Sequence, residues 1–271
     1  MASKQRILKK KHICDMPKIK PIGISILYLL ISFYSFGQNY DRYAFSNKNL
    51  NFKFDLNLST PGGDMAKRFG NFTSIGFGVL LKGKTNWLAG IDGAYLFGGK
   101  IKELTLLDNM VNGAGFISKN NGSPANYAVN MRGLTFFAKG GRLFSFSAAK
   151  PNQGLILLGG LGYLQHKINF QTTQNDLPAL NPDYSKGYDR LTDGIAMNEF
   201  VGYFYQSPNK MINFYIGLEF VQAFTQNRRG FNYDTRTFDT RSNTDLIQSV
   251  RFGWMFPLAL GSKHEDEFIF R

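Results

Sequence analysis

Two stretches near the ends of the chain alternate apolar and polar residues with a period of two. This pattern restricts the fold more than any other feature. From Leu50 to Leu58, the residues Leu50, Phe52, Phe54, Leu56 and Leu58 share one face, and Asn51, Lys53, Asp55 and Asn57 share the other. From Val250 to Leu260, the residues Val250, Phe252, Trp254, Phe256, Leu258 and Leu260 lie opposite Arg251, Gly253 and Met255. Successive side chains of a strand point to opposite faces, so each stretch reads as a strand with one apolar and one polar face. A water-soluble sandwich gives the same alternation with its apolar face in a core. What joins the strands decides between that and a membrane barrel.

Six further strands are read at about 71–82, 86–98, 127–143, 153–170, 194–206 and 211–225. Their connections alternate in length. Residues 83–85, 144–152 and 207–210 make short turns, whereas 59–70, 99–126, 171–193 and 226–243 are long and polar. Short turns at one end and long loops at the other mark an outer-membrane barrel. The prediction is therefore an all-β fold: an eight-stranded antiparallel up-and-down transmembrane β-barrel with short periplasmic turns and long extracellular loops. Closure follows from physics, because in hydrocarbon every backbone N–H and C=O must pair within the protein. The 29 glycines and 15% aromatics suit such a barrel. Strands 127–143 and 153–170 keep an ambiguous register, since Leu155-Ile156-Leu157-Leu158 is apolar on both faces.

The N-terminus reads as an export signal. Lys18 and Lys20 precede an apolar run from Ile22 to Phe36, Ser35-Phe36-Gly37 supplies a cleavage site, and Gln38 becomes the mature start. The expected organisation is a signal peptide over 1–37 and a barrel over 38–271. Met16 offers a second start, which makes 1–15 an extension. The one cysteine, Cys14, falls in the removed segment, and Lys11-His12-Ile13 before it is no lipobox. A mature chain from 38 carries 25 Lys/Arg against 18 Asp/Glu, a net +7 that needs no nucleic-acid partner.

Several groups could carry function. Lys53, Asp55, Asp92, Glu199, Glu219 and Arg251 are predicted to face the lumen, with Glu199 and Glu219 at similar heights on neighbouring strands. Charges in a dry interior must pair, so they read as a structural ion network or else as a proton path or ligand site. Phe52, Phe54, Leu56, Phe252, Trp254 and Phe256 are predicted to face lipid. Lys67, Arg68, Arg228, Arg229, Arg236 and Arg241 edge the long loops. They read either as contacts to lipid phosphate or as solvated charge. His166 could serve acyl-transfer chemistry with Ser185, Asp183 or Asp189, or could simply anchor a loop; no Gly-x-Ser-x-Gly accompanies it. Gly159-Gly160-Leu161-Gly162 continues a strand and is no nucleotide loop. Within 99–126 a short helix is expected over 101–110, with Ile101, Leu104 and Leu107 on one side. A hairpin tip is expected at Asn120-Asn121-Gly122, and the loop either binds something or caps the mouth. No metal site and no cofactor are expected.

The leader ending in Phe36-Gly37-Gln38 and three later blocks carry a family resemblance. The blocks are Leu164-Gln165-His166-Lys167-Ile168, Lys186-Gly187-Tyr188-Asp189-Arg190-Leu191-Thr192 and Arg251-Phe252-Gly253-Trp254-Met255-Phe256-Pro257. They resemble those of small outer-membrane barrel proteins of the Bacteroidetes, a group with no settled activity. The resemblance implies outer-membrane lipid and lipopolysaccharide as surroundings, and protein partners in secretion, motility or assembly complexes. The chain departs from the usual terminal aromatic in ending on an acidic-then-aromatic tail, 261–271. The function expected is a non-enzymatic barrel that presents loops outward. A lipid A or phospholipid acyl hydrolase or transferase using His166 is the first alternative, and a small-solute pore the second.

Overall fold

The structure, a computed structural model, describes residues 48–103, 105–119, 121–147, 150–172, 184–207 and 212–260. The expected signal peptide, the tail 261–271, Leu104 and Asp183 lie outside these residues. Eight antiparallel strands form a closed ring. They are β1 (Asn49–Gly63), β2 (Phe72–Lys82), β3 (Trp87–Gly98), β4 (Tyr127–Ser145), β5 (Gln153–Thr172), β6 (Thr192–Gln206), β7 (Asn213–Asn227) and β10 (Ser242–Ala259). A two-residue hairpin, β8 (Phe231–Asn232) with β9 (Thr237–Phe238), sits in the last long loop. The ring runs β1-β10-β7-β6-β5-β4-β3-β2: consecutive barrel strands pair, and β10 closes the ring onto β1.

Register fixes the tilt. A path leaves Thr60 through Gln248, Phe220 and Glu199, and continues through Gly159, Gly140, Ala89 and Leu81. It returns to β1 at Leu50, ten residues from its start. With a rise of about 3.3 Å per residue and about 4.8 Å between strands, that shift tilts eight strands by about 40°.

The burial pattern is that of a globular protein turned inside out. Lys53 and Arg251 are buried, while Phe54, Ile91, Phe136 and Leu218 are exposed on the outer wall. Such a wall is satisfied in hydrocarbon, as in membrane-spanning barrels. The six predicted lipid-facing residues all point outward. Phe54, Leu56, Phe252, Trp254 and Phe256 are exposed, and Phe52 is half-buried with its ring 6.5 Å from that of Phe77.

The ambiguous strands resolve through the lumen. Ile156 and Leu158 point inward, Leu155 and Leu157 outward. The inward pair joins an apolar layer with Leu80, Leu88, Leu143, Phe200, Phe204 and Met255 at the short-turn end. There both faces must be apolar, which erases the alternation. Several strands run longer than expected. β1 continues to Gly63, and β10 begins at Ser242 rather than Val250. The first four residues of β10 are polar on both faces, with Asn243 and Asp245 inward and Ser242 and Thr244 outward. They rise beyond the apolar belt, where no hydrophobic pattern is required.

Candidate functional site

Between two apolar layers the lumen holds three cations and three carboxylates. Arg251 donates from Nη2 to Asp55 at 2.5 Å and to Asp92 at 2.6 Å, and from Nη1 to Glu219. Lys53 reaches Asp92 at 2.6 Å. Lys139 lies 3.0 Å from Asp92 and 2.9 Å from Glu219. The Tyr215 hydroxyl donates to Asp55, and the Asn198 amide donates to Glu219 at 2.7 Å. Each carboxylate therefore meets at least one cation, and the cluster is neutral as a unit. That balance is what permits charge in a dry interior.

Of the predicted lumen residues, Lys53, Asp55, Asp92, Glu219 and Arg251 come together here. Glu199 does not. It lies on the outer wall, exposed, with the inward positions of β6 taken by Asn198 and Phe200. The expectation matched its height and misassigned its parity. Lys139, Tyr215 and Asn198 were missed. Lys139 stands in a strand whose register was unreadable, and a tyrosine or an asparagine alone carries no pairing signal.

Above the ions, towards the long loops, lies a second apolar layer. Phe72, Leu96, Met131, Phe137, Leu164 and Ile168 come from the wall. The mouth is plugged from outside by Met65 and Phe69, in and just after a one-turn helix (Met65–Arg68), and by Leu106, Leu107 and Ile117 from loop 99–126. Among the described residues of 101–110 the expected helix is not formed. Only a 3-10 turn at Asp108–Met110 appears, because the chain instead drops adjacent Leu106 and Leu107 into the mouth. The hairpin is reduced to one bridge, Ser118 to Pro124, with Gly122 in the left-handed region at φ +81°. Between the plug and the ions a cavity of about 20 Å³ remains, bordered by Asn57, Ser74, Thr135 and Arg251. That is room for about one water, not for a solute path.

His166 sits beneath this plug, 1% exposed. Its Nε2 lies 2.9 Å from Asp245, which also accepts from Thr225 Oγ1 at 2.5 Å, and Phe69 packs edge-on at 5.4 Å. Of the partners expected from sequence, Asp183 lies outside the described residues and Asp189 is engaged elsewhere. Asp189 is held by Arg229 through two bonds of 2.9 and 2.5 Å. The histidine thus ties β5 to β10 under a hydrophobic lid, facing the lumen and not the outer wall.

The long loops form an ionic cap. Arg190 bonds Glu103 at 3.1 Å and Asp234 at 2.6 Å. Arg68 lies 3.3 Å from Glu103 and 3.8 Å from Asp239. With the Arg229–Asp189 fork, these pairs join all four long connections. Of the basic residues expected at lipid phosphate, Lys67 and Arg241 pair with Asp64, Arg228 with Asp193, and Arg68 and Arg229 as above. Arg236 stands in the turn between β8 and β9, at φ 54°. The acids Glu103, Asp234 and Asp239 carried no signal in sequence because their cationic partners come from other loops, and Asp189 was read only as a candidate partner of His166. A hydrogen bond from Lys67, with the Thr244 N–H behind it, holds the Asp64 carboxyl below the usual carboxylate range. At Asp239 burial acts upward, but bonds from Asn227 and Asn232 and the charge of Arg68 outweigh it, and its pKa is also lowered.

Among the described residues no group of three His, Cys, Asp or Glu side chains could hold a metal ion. No family model matches the chain, and no curated protein matches it. Solved structures similar to it include Ail, the attachment invasion locus protein of Yersinia pestis. That pair shares 11% identity, covers 78% of this chain and 99% of that one, and has a TM-score of 0.43. Neisserial surface protein A is 8% identical over 76% of this chain and 96% of its own, TM-score 0.44. A major outer membrane protein from Thermus thermophilus is 8% identical over 77% and 99%, TM-score 0.39.

Proposed function

We propose that this chain is a non-enzymatic outer-membrane barrel, exported by a cleaved signal peptide over 1–37, whose work is done by its capped extracellular loops. It serves as a structural or accessory component of a larger outer-membrane assembly, of the kind the resemblance to Bacteroidetes barrels implies. Lipid and lipopolysaccharide are its surroundings. The observation that carries the reading is the filled interior: among the described residues, ions between two apolar layers leave no conduit and no open reacting centre. With the inside devoted to stability, the cap and the outer wall are the surfaces left for partners. The orientation, loops outward, follows from the short turns at one end and the long loops at the other.

The test uses a strain lacking the gene. Reintroduced wild type and His166→Asn should both restore its phenotype, provided heat-modifiable gel migration shows each barrel folded. A chain with 108–119 replaced by a Gly-Ser linker should fold and fail. Altered acylation of outer-membrane lipid that depends on His166 would overturn the reading.

A further inference from the structure

Glu199 stands on the outer wall in the wrong solvent. The register path from Thr60 to Leu50 spans the apolar belt, and Glu199 is its third strand crossing. It therefore lies about 9 Å below Thr60 and about 15 Å above Leu50 along the barrel axis. Exposed Met197 and Val201 flank it on β6, and exposed Leu218 and Phe220 stand on β7 beside it. Among the described residues it has no hydrogen bond or ion pair. A charge facing hydrocarbon at this depth is costly and therefore rare unless something meets it.

The wall beside it is hollowed. On the β5 side its cross-strand neighbour is Gly159, and beyond that Gly140. Ala138, Gly160 and Leu161 complete a shallow, open depression with Glu199 on its edge. A Cβ built at Gly159 would meet nothing within 4 Å, so the glycine is not required by packing within this chain. Small residues let a second backbone approach closely within a membrane, and a polar group beside them supplies an anchor.

We propose that the β4–β6 face around Glu199 is a lateral docking site, inside the membrane, for a different membrane-embedded protein that presents a lysine or arginine at this depth. Charge complementarity selects that occupant. Among the described residues, a second copy in the same orientation offers no such cation. Of the bases on this chain's outer wall, Arg142 stacks on Trp87 and Phe144 near the short-turn edge, each at 5.7 Å. Arg132 and Lys167 stand near the opposite edge, each more than about 10 Å from the level of Glu199. The proposal rests on the barrel standing in a membrane, not on what its cap does.

The test places the photo-crosslinker p-benzoylphenylalanine at Met197, at the depression, and separately at Phe77, on the opposite wall, in the full chain in its native membrane. Light should give one protein adduct from position 197 and none from 77. Mass mapping should put the partner's linked peptide in a membrane-spanning segment that carries a lysine or arginine. Glu199→Gln should abolish the adduct. So should Gly159→Leu, which fills the depression without entering the core; gel migration checks that both fold. Lipid adducts alone at 197, an adduct with a second copy, or an adduct indifferent to Glu199→Gln would each overturn the docking site while leaving the barrel standing. Failure of either position to react with lipid or membrane protein would instead count against the barrel's membrane placement.

Discussion

Lys139 on β4 and Glu219 on β7 meet across the lumen, Nζ to Oε1 at 2.9 Å, from strands three places apart in the ring. That same carboxylate accepts from Arg251, so one acid holds two walls together. Removing Arg251 leaves Asp55, Asp92 and Glu219 with the two lysines alone. Arg251→Met should cost about 3–5 kcal/mol, the usual loss on breaking a buried pair and well above the ~0–1 kcal/mol of an exposed one. Glu219→Gln in the same chain should recover part of it. Unfolding by urea in detergent or bilayer, for both single variants and the double, reads the coupling. Strict additivity would show that no such network exists.

The outer wall makes a prediction of opposite sign for its two kinds of residue. Phe54 is 54% exposed near mid-depth, and Phe54→Arg should cost about 2–4 kcal/mol. Trp254→Arg, nearer the short-turn edge, should cost less. Glu199→Leu should stabilise the isolated barrel by about 1 kcal/mol, since it removes a charge from hydrocarbon. Folding titrations into lipid vesicles rank the three variants. Loss of stability in Glu199→Leu would mean that the carboxylate is needed within this chain.

Much of this was legible in sequence, and the failures have physical causes. Leu50 to Leu58 and Val250 to Leu260 cross the belt where lumen and lipid differ most, so their alternation is clean. Leu155 to Leu158 pass an apolar lumen layer, and the signal vanishes. Ser242 to Asp245 climb above the belt, and it vanishes again. Glu199 shows the limit for sites. A lone acid in a strand looks inward by chemistry, and only the parity set by Asn198 and Phe200 puts it outside. The cap was illegible for another reason. Arg190 meets Glu103 and Asp234 from three different loops, and no local pattern records such a meeting.

The cap should respond to acid. Asp64 and Asp239 both have folded-state pKa values below the usual carboxylate value of about 3.9. A lowered folded pKa contributes stability that is present above the unfolded value and is lost as pH falls through the folded one. Amide protection of 228–241 should therefore be constant from pH 7 to about 5 and fall progressively below about 4. Hydrogen exchange measured against pH checks this. A loss centred near pH 6 would contradict the assignment to the loop acids.

The plug should matter for stability and not for sealing. Phe69 is fully buried and packs on His166. Phe69→Ala should cost about 3–5 kcal/mol, the usual loss for an aromatic removed from a core. Conductance in planar bilayers should stay at background, because the ions and the lower apolar layer still fill the lumen. Stepwise channel openings in this variant would show that the plug alone seals the barrel.

Surface labelling tests most directly whether a closed, membrane-spanning barrel keeps its cap outside the cell. With Cys14 in the segment expected to be removed, a mature chain has no other cysteine to interfere. Single cysteines at Gly113, in the cap where a Cβ meets nothing within 4 Å, and at Lys84, in a short turn, can be probed with a membrane-impermeant maleimide. On intact cells Gly113→Cys should label fully and Lys84→Cys should not, and both should label after the outer membrane is permeabilised. Labelling of Lys84→Cys but not Gly113→Cys on intact cells would contradict the orientation, and equal labelling of both would contradict a membrane-spanning barrel.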